Sequence, residues 1–277
     1  MKQVTVLGLG LIGGSVGLAL RERDPELRVV GIDRPEVVSN VAAIRVAHEL
    51  IDHGDSARVE AALAADLVVL AAPVSVIRQQ LPAALDRALV VMDCGSTKRA
   101  ICEVVAQHPR RSQFVPGHPM AGLPEGGIEQ ARADLFEGRR WILCPERSAP
   151  EALARAEEVV RAVGAAVVHL SADEHDRAVA RTSHVPQLLA SALLASAASA
   201  GAERAAGPAF ASATRVAGGP EAMWNDIFVT NADEIAKALA ELVGELDAVQ
   251  RELAGNPPAL DAARALLEKA RALRRSR

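Results

Sequence analysis

The sequence predicts two structural units: an α/β unit on a mostly parallel, doubly wound sheet, residues 1–170, and an all-α unit, residues 171–277. Three observations lead there. Short β-branched runs alternate with helical stretches through the first unit, and glycines punctuate the turn between its first strand and first helix. After Leu170 no strand-like run of comparable quality follows, and Ala/Leu-rich helical sequence takes over. Strand–helix alternation builds βαβ units, whose crossover helices cover both faces of a parallel sheet. A chain of 277 residues also exceeds the usual single domain.

Taken in order, residues 4–7 and 29–32 read as strands, with a helix over 15–22 between them. Further strands are expected at 67–70, 89–92, 114–115, 141–143 and 167–170. In the second unit, 179–199, 232–253 and 259–273 read as helices. The stretch 187–198 carries no charge on any face, so it is expected to be buried. In a unit of little over a hundred residues the simplest partner for so much apolar helix is the same unit of a second copy. That predicts a homodimer built on the helical half.

Composition removes several classes of function. Half of the residues are hydrophobic and 24% are charged, which is ordinary for a globular chain with a real core. A net charge of -4 lacks the basic excess of a nucleic-acid footprint. The one basic run, 271–277, reads as a frayed, solvated tail. Cys94, Cys102 and Cys144 are odd in number and show no CxxC spacing, which fits a reducing cytoplasm and predicts neither disulfide framework nor metal site. The apolar start is broken by Gly8, Gly10, Gly13 and Gly14, unlike a secretory core. No run of 18 apolar residues free of glycine or charge occurs, so no membrane span is expected.

The turn Gly8-Leu9-Gly10-Leu11-Ile12-Gly13 is a GxGxxG directly after a strand and directly before a helix. Its glycines serve a tight turn, close approach of backbone to a pyrophosphate, and helix–strand packing. The helix N-terminus then presents free N–H groups and a positive dipole end to phosphate. Glycine-rich turns also arise for purely structural reasons. Here Asp33 follows Gly13 by 20 residues, where a ribose-binding carboxylate belongs. Context and acid together predict a dinucleotide-binding Rossmann domain. Asp33 accepts from both ribose hydroxyls and repels a 2′-phosphate, which favours NAD; the guanidinium of Arg34 next to it leaves NADP possible. Ala72 and Pro73, after the strand at 67–70, are expected to line the other side of the cofactor.

Two more loops follow strands in this half, Asp93-Cys94-Gly95-Ser96-Thr97-Lys98 and Gly117-His118-Pro119-Met120-Ala121-Gly122. Both should reach the reactive end of the cleft. A lone histidine is usually structural, but His118 is held between Gly117 and Pro119, and an imidazole is a suitable acid/base near neutral pH. Ser96 is a hydrogen-bond partner for His118 or for a substrate hydroxyl, or else a helix cap. In the helical half, His184 and Arg215 interrupt very apolar sequence. They read as a satisfied core histidine and a surface charge, or as substrate contacts, with Arg215 suited to gripping a carboxylate.

In order along the chain stand GLGLIGGS at 8–15, DCGSTK at 93–98, GHPMAG at 117–122, SHVP at 183–186, ATR ending at Arg215, and MWNDIF at 223–228. With this set the chain resembles the prephenate/arogenate dehydrogenase family of tyrosine biosynthesis. The glycine turn is shared by many families; the HPMAG, SHxP and MWxDIF segments in this order are much more specific. The resemblance implies oxidative decarboxylation of a cyclohexadienol acid with NAD(P) accepting the hydride, and a dimer through the helical domain. It implies that His118 takes the proton of the ring hydroxyl, that Ser96 orients it, that Arg215 holds a carboxylate and that His184 contacts the substrate's side-chain end. A neutral imidazole is needed, so activity should rise through the histidine range, between about pH 5 and 8.

Two departures matter. Gln187, placed with His184 and Arg215 as a substrate contact, stands where many members have a second histidine, and Gly218-Gly219-Pro220 where they often have Ser-Asp-Pro. Gly219 offers no acid to an ammonium group, which leans the reading toward prephenate, with Glu221 nearby as a counterweight. The chain leaves no room for a fused mutase or regulatory domain, so feedback through one is not expected. The rivals are another two-domain Rossmann reductase, which would want a catalytic Lys or Asp in the helical half, and a non-catalytic NAD-binding dimer, which would have no need of His118, Ser96 and Arg215 together.

Overall fold

The computed structural model describes residues 1–123 and 125–276. The first half runs β1 (Gln3–Leu7), α1 (Leu11–Arg23), β2 (Arg28–Asp33), α2 (Pro35–Val38), α3 (Ala43–Val46), β3 (Glu49–Asp52), α4 (Ser56–Leu63), β4 (Leu67–Leu70), α5 (Val74–Arg87) and β5 (Val91–Asp93). It continues through α6 (Arg99–Val104), β6 (Phe114–Val115), β7 (Gly117–Pro119), β8 (Arg140–Leu143), α7 (Pro150–Ala162) and β9 (Ala166–His169). The second half holds α8 (Ala172–Val179), α9 (Val185–Ser199), α10 (Pro208–Thr214), α11 (Glu221–Thr230), α12 (Ala232–Leu253) and α13 (Asp261–Arg275).

Six strands form one parallel sheet in the order β3-β2-β1-β4-β5-β6. Both faces are buried, as the near-continuous Val/Ile/Leu runs demand. On β1, Val4 and Val6 enter the core beneath α1 and α7, whereas Leu7 joins the core beneath α5. The order reverses between β1 and β4, and the crevice at the carboxyl ends of these two strands is where such sheets bind ligands.

A second, three-stranded sheet pairs β7 antiparallel to β8, and β8 parallel to β9. The sequence reading does not separate it from the first sheet, and it misses β3 and β7. The reason for β7 is physical: Gly117-His118-Pro119 has poor strand propensity and is held extended by its partner β8, so that His118 lies opposite Ile142 rather than in a free loop.

In the helical half, α8 passes into α9 through a π-helical turn, Ala180–His184. Pro186 explains the turn: it lacks an N–H, and its ring would crowd the carbonyl one turn back in an ordinary helix. The expected burial of 187–198 is met only in part. Gln187 and Ala190 are buried, but Leu189, Leu193 and Leu194 are 38%, 44% and 40% exposed. Among the described residues the hydrophobic cluster of this half has five buried members, Ala180, Val185, Ile227, Ile235 and Ala238. At the end of the chain α13 runs to Arg275, so the basic run is helical there rather than frayed; Arg277 lies outside the described residues. Among the described residues no helix is long and apolar enough to cross a membrane.

Candidate active site

The glycine turn sits at the switch point. Gly8 has φ +95°, and a Cβ there would lie 2.5 Å from the carbonyl oxygen of Ala71. A Cβ on Gly13 would lie 1.8 Å from the carbonyl oxygen of Gly8, so the start of α1 is pressed onto the turn. Gly10 is different, with nothing within 4 Å of where its Cβ would be. That open space belongs to a cavity of about 540 Å³, lined on this side by Gly10, Leu11, Ile12, Ala72 and Pro73. Two glycines thus fold the cradle, and the third leaves it open for a phosphate.

At the end of β5, Asp93 is fully buried and organises the next two loops. Its carboxylate accepts from the backbone N–H of Gly95 at 2.8 Å and of Gly117 at 3.0 Å, and it pairs with the buried ammonium of Lys98. Lys98 in turn donates to the carbonyl of Gly117 at 2.6 Å. One buried ion pair therefore fastens the Ser96 loop to the residue before His118. Removing either partner would strand a buried charge, a costly change.

His118 and Ser96 both line the cavity. The Nδ1 of His118 lies 2.8 Å from the Nε2 of His175, and the Nδ1 of His175 lies 2.8 Å from a carboxylate oxygen of Asp176. His175 and Asp176 are fully buried. Burial, then the neighbouring His175, Lys98 and His184, hold the imidazole of His118 well below its usual range. Burial likewise lowers His175 despite Asp176 beside it. Cys94 also faces the cavity, but burial and the Asp93 carboxylate push its thiol up, so it is no thiolate nucleophile near neutral pH.

The helical half closes the cavity with Ser183, Pro220, Met223, Asp226 and Ile227. Asp226 accepts from both the backbone N–H and the hydroxyl of Ser75, at 2.9 and 2.7 Å, which ties α11 to the start of α5. Arg99 bridges the halves too, donating to Asp233 at 2.8 and 2.5 Å and to Asp176 at 3.3 Å.

Several expected site residues sit elsewhere. Leu9 has its side chain fully buried in the core against Gly31; its backbone N–H donates to Asp33 at 2.5 Å. Asp33 closes β2 beside the turn, and Arg34 pairs with Glu36 at 3.0 Å rather than standing free. The hydroxyl of Ser96 has no bond to His118, whose partner is His175, and α6 has no side-chain cap. His184 is buried behind the wall, 3.3 Å from the amide nitrogen of Asn231 and edge-on to Trp224; Ser183 takes the wall position. Gln187 is buried and outside the lining, and Arg215 is exposed just past α10. The sequence reading missed His175 and Asp176 as parts of the site; it placed Lys98 in a loop at the reactive end but gave neither Lys98 nor Asp226 a task. Asp226 and Lys98, inside the MWNDIF and DCGSTK segments, carried a signal; His175 and Asp176 are singled out by folding alone.

A parallel sheet whose switch-point glycines open on a cavity that also holds a buried imidazole is the layout of a nucleotide-binding enzyme. Comparison with known proteins makes this particular. The model of the prephenate dehydrogenase nucleotide-binding domain matches residues 16–169, and that of its dimerization domain matches residues 171–264. The prephenate dehydrogenase of Bacillus subtilis is 32% identical over 262 residues, covering 90% of this chain and 70% of that protein. The crystal structure of prephenate dehydrogenase from Aquifex aeolicus, in complex with hydroxyphenyl propionate and NAD+, superposes with TM-score 0.85 at 26% identity, over 100% of this chain and 98% of that one. The arogenate dehydrogenase of Synechocystis gives TM-score 0.81 at 26% identity over 99% of both chains. The chain belongs to the prephenate dehydrogenase family.

Proposed function

We propose that this protein oxidatively decarboxylates prephenate to 4-hydroxyphenylpyruvate, with NAD as hydride acceptor. The observation that carries the reading is the single cavity of about 540 Å³ in which the open face of Gly10 and the imidazole of His118 share one chamber. NAD supplies the acceptor for the hydride that leaves the hydroxyl-bearing ring carbon. Its pyrophosphate fits the space at Gly10, and Asp33 takes the ribose hydroxyls. With Arg34 held by Glu36, the carboxylates of this corner repel a 2′-phosphate, which favours NAD over NADP.

His118, neutral by burial, takes the proton of the ring hydroxyl as the hydride departs. The ring carboxylate leaves as carbon dioxide, its bonding electrons enter the ring to give a phenolate that takes the proton back from His118, and aromatisation supplies the driving force. Ser96 orients the hydroxyl from the same chamber. Arg215, exposed five residues before the cavity-lining Pro220, reaches in to hold a carboxylate once substrate is bound. His184, which follows the wall residue Ser183 in the chain, and Gln187 are buried and outside the lining, so their part in holding substrate is indirect. Glu221, next to Pro220 at the rim, favours a second reading in which arogenate presents an ammonium group there.

The working form is a cytoplasmic homodimer joined through the helical domain, residues 171–277. The half-exposed Leu189, Leu193 and Leu194 of α9 and the thin core of this half support it. The test is incubation with NAD or NADP and either prephenate or arogenate, following absorbance of the reduced nicotinamide. Reduction is expected with prephenate and NAD. No reduction in any of the four combinations, by protein that still binds NAD, would overturn the reading.

A further inference from the structure

We propose that His175 and Asp176 are positioning residues that fix His118 in the tautomer with its proton on Nδ1, so that Nε2 is left as the bare nitrogen that receives the substrate proton. The inference rests on the reading of His118 as the base and adds which atom acts and what sets it.

The proton positions follow from counting donors. Asp176 accepts from the backbone N–H of Lys98 at 2.7 Å, from that of Arg99 at 2.9 Å, and from the Arg99 guanidinium. A carboxylate so placed stays ionised: the bonds it accepts from its neighbours hold Asp176 below the usual carboxylate range against the opposing effect of burial. It is an acceptor only, so the Nδ1 of His175, 2.8 Å away, must donate to it. A neutral His175 then has a lone pair on Nε2, which must accept from the Nδ1 of His118, 2.8 Å away. The edge-on packing of the two rings, with centroids 5.1 Å apart and planes at 62°, suits an in-plane bond of this kind.

The competing arrangement needs a cationic His175 whose Nε2 donates to His118. Burial and the nearby Lys98 ammonium oppose that charge. The groups that face the pair are Asp93, Lys98, Asp176 and His184, and Asp93 is already paired with Lys98. When His118 gains the substrate proton on Nε2, its Nδ1–H still points at His175, and the Asp176 carboxylate stabilises the new imidazolium through that ring. Neither positioning residue lines the cavity, so neither needs to touch substrate.

The test compares two changes at one position. Gln in place of His175 can set its side-chain oxygen near the former Nε2 and still accept; Leu cannot. Nitrogen-15 NMR of the substrate-free full chain is expected to show His118 with its proton on Nδ1 in the parent and in His175→Gln, but not in His175→Leu. In His175→Leu kcat should fall about 100-fold while KM and NAD affinity move far less, and His175→Gln should recover most of the loss. A His175→Leu protein that binds NAD normally and keeps the parent kcat would overturn the proposal. So would a parent spectrum with the His118 proton on Nε2, a result that needs no variant to fold. His118→Asn run in parallel separates the two claims: unchanged turnover there defeats the base itself, whereas lost turnover with an unaffected His175→Leu defeats only the positioning.

Discussion

The Nδ1 of His118 sits 2.8 Å from the Nε2 of His175, a residue 57 positions further along the chain and on the other structural unit. The base proposed for catalysis is therefore assembled only when the helical half packs against the sheet. It follows that His118→Asn should lose about 10²–10⁴-fold in kcat while NAD affinity stays near the parent value, because the glycine turn is untouched. Steady-state kinetics beside a direct NAD titration check this.

The same burial sets the pH dependence. Because His118 is held well below the histidine range, it is already neutral at pH 6.5. The acid limb of kcat/KM should therefore lie below that pH, rather than the rate rising through the whole range that an ordinary imidazole would give. A limb centred on pH 6.5 in the profile would contradict this.

Stability should also fall in acid. His118, His175 and His184 are all lowered in the folded state, His184 to about 4, chiefly by burial. The unfolded chain binds protons more readily than the folded one as pH drops through 6.5, so this contribution is present above that pH and is lost below it. For His184 alone, moving from pH 7.5 to 5.5 costs about 1 kcal/mol. Thermal melts at the two pH values should show a drop of several degrees, of which His184→Gln or His184→Asn removes part.

Two glycine changes should both weaken NAD binding but differ in their effect on stability. Gly13→Ala drives a Cβ to 1.8 Å from the Gly8 carbonyl, so both folding stability and NAD binding suffer. Gly10→Ala meets nothing within 4 Å and has backbone angles that alanine tolerates, so Tm should hold. Its methyl group enters the space assigned to pyrophosphate, and NAD affinity should fall by about 10-fold or more. Melts with and without NAD distinguish them.

The helical domain offers a test of assembly. Leu193 is 44% exposed on a helix with no charged side chain, so Leu193→Glu should shift the protein from dimer to monomer in sedimentation. A parent that already sediments as a monomer would contradict the dimer.

Much of the fold was legible because its signals are local. The strand at 67–70 and the helix at 232–253 coincide with β4 and α12, since β-branched runs and unbroken helical periodicity carry their own information. Spacing alone put an acid at the end of the second strand, and Asp33 does close β2 beside the glycine turn. By contrast β7 has poor propensity and exists through β8, and the His118–His175–Asp176 relay exists through contact between units. His175 looks, in sequence, like any polar residue after the Ser171 cap. Single residues such as Arg215 and His184 were nameable by resemblance, yet their placement depends on packing that no local pattern encodes.

Reduced nicotinamide and carbon dioxide can be measured together in one reaction mixture of this chain with prephenate and NAD. One of each is expected for every prephenate consumed, and neither with His118→Asn over the same interval. Reduced nicotinamide without carbon dioxide, or no reduction by protein that binds NAD, would contradict the proposed reaction.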